Sequence, residues 1–413
     1  IFLIIYIVLA LTFGYTMIVA ETAIGRMTRK SPVGAFKSFG KKKWLSFGGW
    51  INAVIPVLIV PYYSVIGGWV IKYLVEYFRG NAKQLAEDGY FTDFISNGVS
   101  TELCFMAFCA FTLIIIFAGV QNGIERVSKI MMPILIVLSV IIAVYSVTRP
   151  GALAGVKYFL VPNVKNFSWM TVVSAMGQMF YSLSIAMGIL ITFGSYMKKD
   201  TAIEDSTRNV EVFDTGIAIM AGLMIIPAVF AFSGGDPNTL QAGPSLMFIT
   251  IPKVFQNMGF GTVIGIVFFL LVLFAAVTSS IALTESAVST FEDELGWGRK
   301  KATVLVGVIM LALGSLSSLG YGPLAGIKII GMQFLDLFDF LTNSVMMPIA
   351  ALLTSLLVSR VVGIDKIEDE IIHGESAFRR KKVFVVMIKY LCPVFAIIIL
   401  LSSVANALGW IKM

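Results

Sequence analysis

GQMFYSLSIAMG, residues 177–188, decides the fold. It sits inside an apolar run, 168–196, long enough to cross a bilayer. Gly177, Gln178, Ser182 and Ser184 interrupt that run at spacings that form no single helical stripe, and Gly188 and Gly194 follow. Polar groups at membrane depth are costly, so their presence asks for a reason. A helix broken here exposes backbone carbonyls and helix ends, which bind ions and substrate carboxylates. The same residues also suit close helix packing, with serine hydroxyls bonded to carbonyls one turn back. The residues alone leave both readings open.

Nine further apolar runs flank this one, at 1–20, 47–78, 102–120, 130–148, 212–233, 259–284, 302–319, 336–358 and 383–408. A spanning helix needs about 20 such residues, so the 413-residue chain is expected to be an all-α integral membrane protein with about ten spans. Composition agrees. Apolar residues make up 58% and charged residues only 13%, against about 25% charged in a soluble domain. Mean hydropathy is +0.90. A soluble domain and a disordered chain are both excluded.

The formal charge of +7 does not gather on one face, so it gives no nucleic-acid footprint. Most Lys and Arg fall in alternate loops: 26–43, 126–129, 198–208, 299–301 and 360–382. The positive-inside rule makes those loops cytoplasmic and both ends of the chain extracytoplasmic. Cys104, Cys109 and Cys392 offer no disulfide framework and no metal spacing. The single histidine, His373, lies in a charged loop and is expected to be solvated. The run 1–20 has no charged leader and no cleavage site, so it reads as a membrane helix, not a signal peptide. A missing upstream segment is expected, because the chain opens on Ile1 inside the run. Residues 1–413 are expected to form one polytopic domain. Two long outer loops, 234–258 and 320–335, are apolar enough to pack on it, the first as an extracellular lid.

Three other features carry chemistry. Ala275, Thr278 and Ser279 share one helix face, at i, i+3 and i+4. One carbonyl and two hydroxyls there can hold a hard cation, although tight small-residue packing explains them at least as well. Glu21, Asp214, Glu285 and Asp339 lie in or at the ends of apolar spans. No basic residue is apparent at that depth, so bound cations are the expected partners. For Glu21 and Asp339 a place near the interface is the alternative. Ile59 and Tyr63, one turn apart near Pro56 and Pro61, read either as a core stripe or as pocket residues.

These residues, taken together, resemble the bacterial branch of the neurotransmitter:sodium symporters, which have the LeuT-like inverted-repeat fold. The carrying stretches are GIERVSKIMMP (123–133), GQMFYSLSIAMG (177–188) with SYMKKD (195–200), and AAVTSSIALTE (275–285) with FEDEL (291–295). IPVLIVPYYSVIGGW (55–69), GPSLMFITIP (243–252) and LDLFDF (335–340) support them. The resemblance runs from about residue 2 to the end. It places Ile1 inside the family's second helix, with Tyr6, Glu21 and Gly25-Arg26 matching that helix. The ten spans then correspond to family helices two to eleven, with the first helix missing.

The resemblance implies two sodium sites. Ser182 and Asp214 would serve one, Asp214 standing where many relatives have Asn. The carbonyl of Ala275 and the hydroxyls of Thr278 and Ser279 would serve the other. Tyr63 would hold the substrate carboxylate and Tyr181 would cover the substrate. Ile59, Ser182, Ser184, Met187, Ser279 and Leu283 would line the pocket. Asp339 would be the outer gate acid, and Asp293 with Tyr196 would belong to the inner gate. Animal members hold chloride partly through a serine one turn after the Asn position, where this chain has Ala218.

The function expected is sodium-coupled symport of hydrophobic or aromatic amino acids by alternating access across the inner (plasma) membrane. Sodium ions are the co-transported species. The partners are the amino acid and the lipid bilayer, with a homodimer left open. The alternative is a non-transporting receptor or accessory scaffold of the same fold. No constellation for an enzyme is visible.

Overall fold

Residues 1–236, 243–408 and 410 are described by the computed structural model. The loop 234–258 therefore lies partly outside the described residues. Among them, nine helices are long and apolar enough to cross a membrane. They are α1 (Phe2–Thr28), α2 (Lys43–Phe78), α3 (Gly98–Phe117), α4 (Val120–Val147), α7 (Ile203–Ser233), α9 (Gly261–Leu295), α10 (Arg299–Leu319), α11 (Phe334–Val362) and α12 (Lys381–Ala407). The fifth expected span is two helices, α5 (Trp169–Ser182) and α6 (Ile189–Tyr196), separated by residues 183–188. A shorter apolar helix, α8 (Leu246–Gln256), lies in the outer loop.

Several helices run past the apolar limits read from sequence. Helix α2 has 36 residues and α9 has 35. At about 1.5 Å per residue each is longer than the roughly 30 Å hydrocarbon core. Their polar ends therefore stand beyond the membrane and carry loop contacts there. These two helices pack side by side and form, with the buried part of α1, the centre of the protein. Valines and isoleucines on the outer helices, such as Val137, Ile141 and Val144 of α4, stay exposed as a lipid-facing surface requires.

Pro56 and Pro61 both lie inside α2, which remains one continuous helix. Neighbouring helices make such prolines tolerable in a membrane. At its outer end α2 carries Trp69, Tyr73 and Tyr77 into an aromatic cluster with Phe91, Phe248 and Phe269. The Tyr73 hydroxyl donates to the Phe248 carbonyl at 2.7 Å, which pins the start of α8. Phe248, Ile251, Val254 and Phe255 of α8 are buried. Lys253 pairs with Asp88 at the surface, and that ammonium holds the Asp88 carboxyl below the usual carboxylate range.

Helices α1 and α6 touch backbone to backbone. A Cβ on Gly25 would collide with the Ile191 carbonyl, and one on Gly194 with the Thr22 carbonyl. Small residues allow such approach, and packing is the main force between membrane helices. Gly25→Ala is therefore expected to destabilise the fold by about 1–3 kcal/mol. Gly216→Ala should not, because a Cβ there meets nothing within 4 Å. Thermal unfolding of both variants in one detergent checks the contrast.

Candidate functional site

Helix α5 ends at Ser182. Gly177 and Gln178 lie within intact α5, and Gln178 is exposed. In the break, Ser184, Ala186 and Gly188 take left-handed backbone conformations, with φ of 54°, 58° and 71°. Each such non-glycine residue costs about 1–2 kcal/mol, so neighbours must enforce the break. At Gly188 glycine is required twice over: the φ is left-handed, and a Cβ would stand 2.8 Å from both the Asn52 carbonyl and Pro32.

Glu21 is the principal enforcer. It is completely buried in α1, and its Oε1 accepts the Ala186 N–H at 2.9 Å. Glu21 is thus shielded from solvent. Its other oxygen, Oε2, has no partner among the described residues.

Asp214 and Ser182 come together as expected. The Ser182 hydroxyl donates to Asp214 at 2.9 and 3.0 Å. A third group joins them that the sequence reading did not assign. The Tyr6 hydroxyl of α1 lies 3.0 Å from both Ser182 Oγ and Asp214 Oδ2. Two hydroxyl protons directed at one carboxylate fit an acceptor-only, ionised group. The signal in the sequence was a lone hydroxyl in IFLIIYIVLA.

On α9 the Thr278 hydroxyl lies 3.0 Å from the carbonyls of both Phe274 and Ala275. Turned toward Phe274, it leaves its own lone pairs and the second lone pair of the Ala275 carbonyl available. Ser279 is exposed one residue on, and the Tyr63 hydroxyl approaches it from α2. Ile59, Met187 and Leu283 are buried, whereas Ser184 is half-buried. Tyr181, at the end of α5, is 36% exposed and faces Tyr62, Tyr63 and Asp339. Asp339 accepts from the Tyr62 hydroxyl at 3.2 Å and from the Asn343 amide at 2.6 Å.

The cytoplasmic side differs from expectation in one respect. Glu285 has a basic partner: Arg299, at the start of α10, reaches both its oxygens at 3.0 and 2.5 Å. The arginine side chain spans the depth that the sequence seemed to leave without a cation. Tyr196 donates to Glu285 at 2.7 Å. Asp293 instead accepts the Ser31 N–H at 2.6 Å, beside a Lys37–Glu294 ion pair at 2.6 Å.

Comparison with known proteins places this architecture. Residues 76–410 match the sodium:neurotransmitter symporter family. The chain is 32% identical to the uncharacterized sodium-dependent transporter YhdH of Bacillus subtilis (strain 168), over 98% of this chain and 89% of that protein. It is 24% identical to the sodium- and chloride-dependent GABA transporter 2 of Homo sapiens, over 90% of this chain and 68% of that protein. The crystal structure of MhsT in complex with L-phenylalanine superposes with a TM-score of 0.87 at 33% identity. That match covers 97% of this chain and 91% of MhsT.

The Glu21–Ala186 bond yields a direct test. Glu21→Leu leaves a buried N–H without an acceptor, a cost of about 1–3 kcal/mol. Glu21→Gln keeps a carbonyl acceptor and is expected to retain most of the stability. Thermal unfolding of the two variants in detergent should separate them. Equal losses would show that the bond does not hold the break.

Proposed function

The chain belongs to the sodium:neurotransmitter symporter family and is a multi-pass membrane transporter, not an enzyme; from that premise we propose that it carries hydrophobic or aromatic amino acids inward with sodium. The observation that supports this reading most is the meeting of Ser182, Asp214 and Tyr6 at the end of α5. A carboxylate, a serine hydroxyl and broken-helix backbone form an oxygen-rich site for a small hard cation. The face formed by Ala275, Thr278 and Ser279 would hold a second sodium. Sodium here is a transported species, so its sites must fill and empty in every cycle.

The substrate would lie between α2, α9 and the break. Its carboxylate would meet the Tyr63 hydroxyl and its side chain Ile59, Ser182, Ser184, Met187, Ser279 and Leu283. Tyr181 would close over it. Met187 is flexible and polarizable, so it can repack around side chains of different shape. Asp339 would belong to the outer gate, with α8 as part of an outer lid. Tyr196 and Asp293 would belong to the inner gate, Tyr196 through Glu285. Coupling requires ligands that prefer one gate state over the other.

Uptake by proteoliposomes under a sodium gradient tests the reading. Labelled phenylalanine or leucine is expected to accumulate, with competition from other apolar amino acids. Thr278→Ala combined with Ser279→Ala should raise the sodium concentration needed for half-maximal uptake. Competition from charged amino acids alone would refute the pocket assignment, and unchanged sodium dependence would refute the second ion site. Sodium-independent ligand binding without uptake would favour a receptor.

Chloride is expected to be dispensable. Ala218 follows Asp214 by one turn and has no hydroxyl to hold an anion. Asp214 already supplies a negative charge, and a chloride beside it would be repelled in a low-dielectric site. Replacing chloride with gluconate should leave uptake by the parent unchanged. Dependence should emerge in Asp214→Asn with Ala218→Ser. Strong dependence in the parent would sink the idea.

A further inference from the structure

The foot of α2 carries positive charge that the described residues do not neutralise. Lys41, Lys42 and Lys43 follow one another there, all exposed, and none has an acid partner among the described residues. Other bases on the same side are paired. Lys37 meets Glu294 at 2.6 Å, Arg379 meets Asp205 and Arg380 meets Glu211 at 3.1 Å, and Lys381 meets Glu368. Solvated lysines that merely orient a span are common, so charge alone decides nothing.

Placement decides it. Helix α2 starts at Lys43 with no acid in its first turn and no side-chain cap. Positive side chains there oppose the helix dipole. Lys43, Phe47 and Trp50 stand at i, i+4 and i+7, so they form one stripe. Phe47 is 55% exposed and Trp50 40%. The stripe passes from a base to aromatic rings and on into the apolar body of the span, the order of groups at a membrane–water interface. Lys37 adds its charge beside the stripe, with Nζ 5.8 Å from the centre of the Trp50 ring.

The opposite face of this end is fixed. A Cβ on Gly48 would meet Phe36 and Leu353, and one on Gly49 would meet Val33 and the Pro32 carbonyl. Leu353 belongs to α11, which as the ninth span runs opposite to the second, α2. Arg360 lies about 10 Å beyond Leu353, and Lys43 about 8 Å beyond Gly48, both toward the same side. Arg360 is therefore level with the lysines. It too is exposed and has no acid partner among the described residues.

We propose that the foot of α2 binds the headgroup of an anionic phospholipid. The phosphate sits among Lys41, Lys42, Lys43 and Arg360, and the acyl chains lie along Phe47 and Trp50. A zwitterionic headgroup fits less well, because its ammonium needs an acceptor. The acids that border this loop are engaged: Asp293 accepts the Ser31 N–H at 2.6 Å, and Glu294 holds Lys37. The bound lipid braces the connection between α1 and α2. That connection includes Pro32, which packs against Gly188 in the break.

The purified protein in nonionic detergent, stripped of lipid, tests this with three probes: dihexanoyl phosphatidylglycerol, dihexanoyl phosphatidylcholine and inorganic phosphate. Phosphatidylglycerol is expected to raise the thermal unfolding midpoint in a saturable, salt-sensitive way. The other two should not. An equal rise with phosphatidylcholine overturns the proposal, because headgroup charge is then not read. An equal rise with inorganic phosphate overturns it too, because a free anion then suffices. Lys41→Gln with Lys42→Gln and Lys43→Gln should weaken phosphatidylglycerol retention in native mass spectrometry by at least about tenfold, since each base near a headgroup contributes about fivefold. Lys198→Gln with Lys199→Gln and Lys300→Gln removes the same charge from exposed bases elsewhere and should leave retention unchanged. Equal loss in both triple variants would mean diffuse attraction to a positive surface, and would overturn the site. The three probes are compared on the parent protein, so they decide the matter even where a variant fails to fold.

Discussion

Everything in this protein depends on one constraint: a backbone group freed at membrane depth finds no water to bond. The chain breaks its fifth span at residues 183–188 and so creates such groups. Glu21 answers from the neighbouring helix by accepting the Ala186 N–H. A buried carboxylate is itself costly unless it is paired or hydrogen-bonded, so the break and the acid stabilise each other. That mutual need also fixes the distance between α1 and α6. The glycines at 25 and 194 then become necessary, because the helices must approach until their backbones touch.

Much of this was legible in the sequence. The apolar runs gave the spans, since bilayer thickness sets helix length whatever the fold. Ser182 and Asp214 could be grouped through resemblance, and the structure brings them within 3.0 Å. The exact place of the break was not legible. Glycine permits left-handed backbone most readily, yet two of the three left-handed residues in the break are Ser184 and Ala186. No local propensity announces a conformation that a distant carboxylate imposes.

Charge pairing was the other illegible element. Glu285 looked unpaired because the nearest base along the chain is fourteen residues on, in the next helix. Arginine carries its charge at the end of a long stem, so residue position and charge position differ by several ångströms. The same reasoning hid Arg26, which reads as an ordinary cytoplasmic cation but is buried against Glu370. Sequence depth is a fair guide for short acids and a poor one for arginine.

With Glu285 neutralised by Arg299, the membrane acids divide into two kinds. Glu285 sits in a charge-balanced network on the cytoplasmic side. Among the described residues, the hydrogen bonds Asp214 receives come from the hydroxyls of Tyr6 and Ser182. Hydroxyls stabilise a carboxylate through hydrogen bonds but cancel none of its charge. On the proposed sodium reading, an ionised carboxylate so placed would draw a cation into the site and release it only with a change in its surroundings. A neutral amide at position 214 would satisfy the same hydroxyls and leave the charge of a bound sodium unbalanced. On that reading, aspartate at this position would tie ion binding to the geometry of the break. The hydroxyl that completes the acid's shell comes from Ser182, the last helical residue before the backbone departs from the helix. Any motion that remodels the break must also disturb the shell of the acid, and that linkage is what a coupled transporter needs.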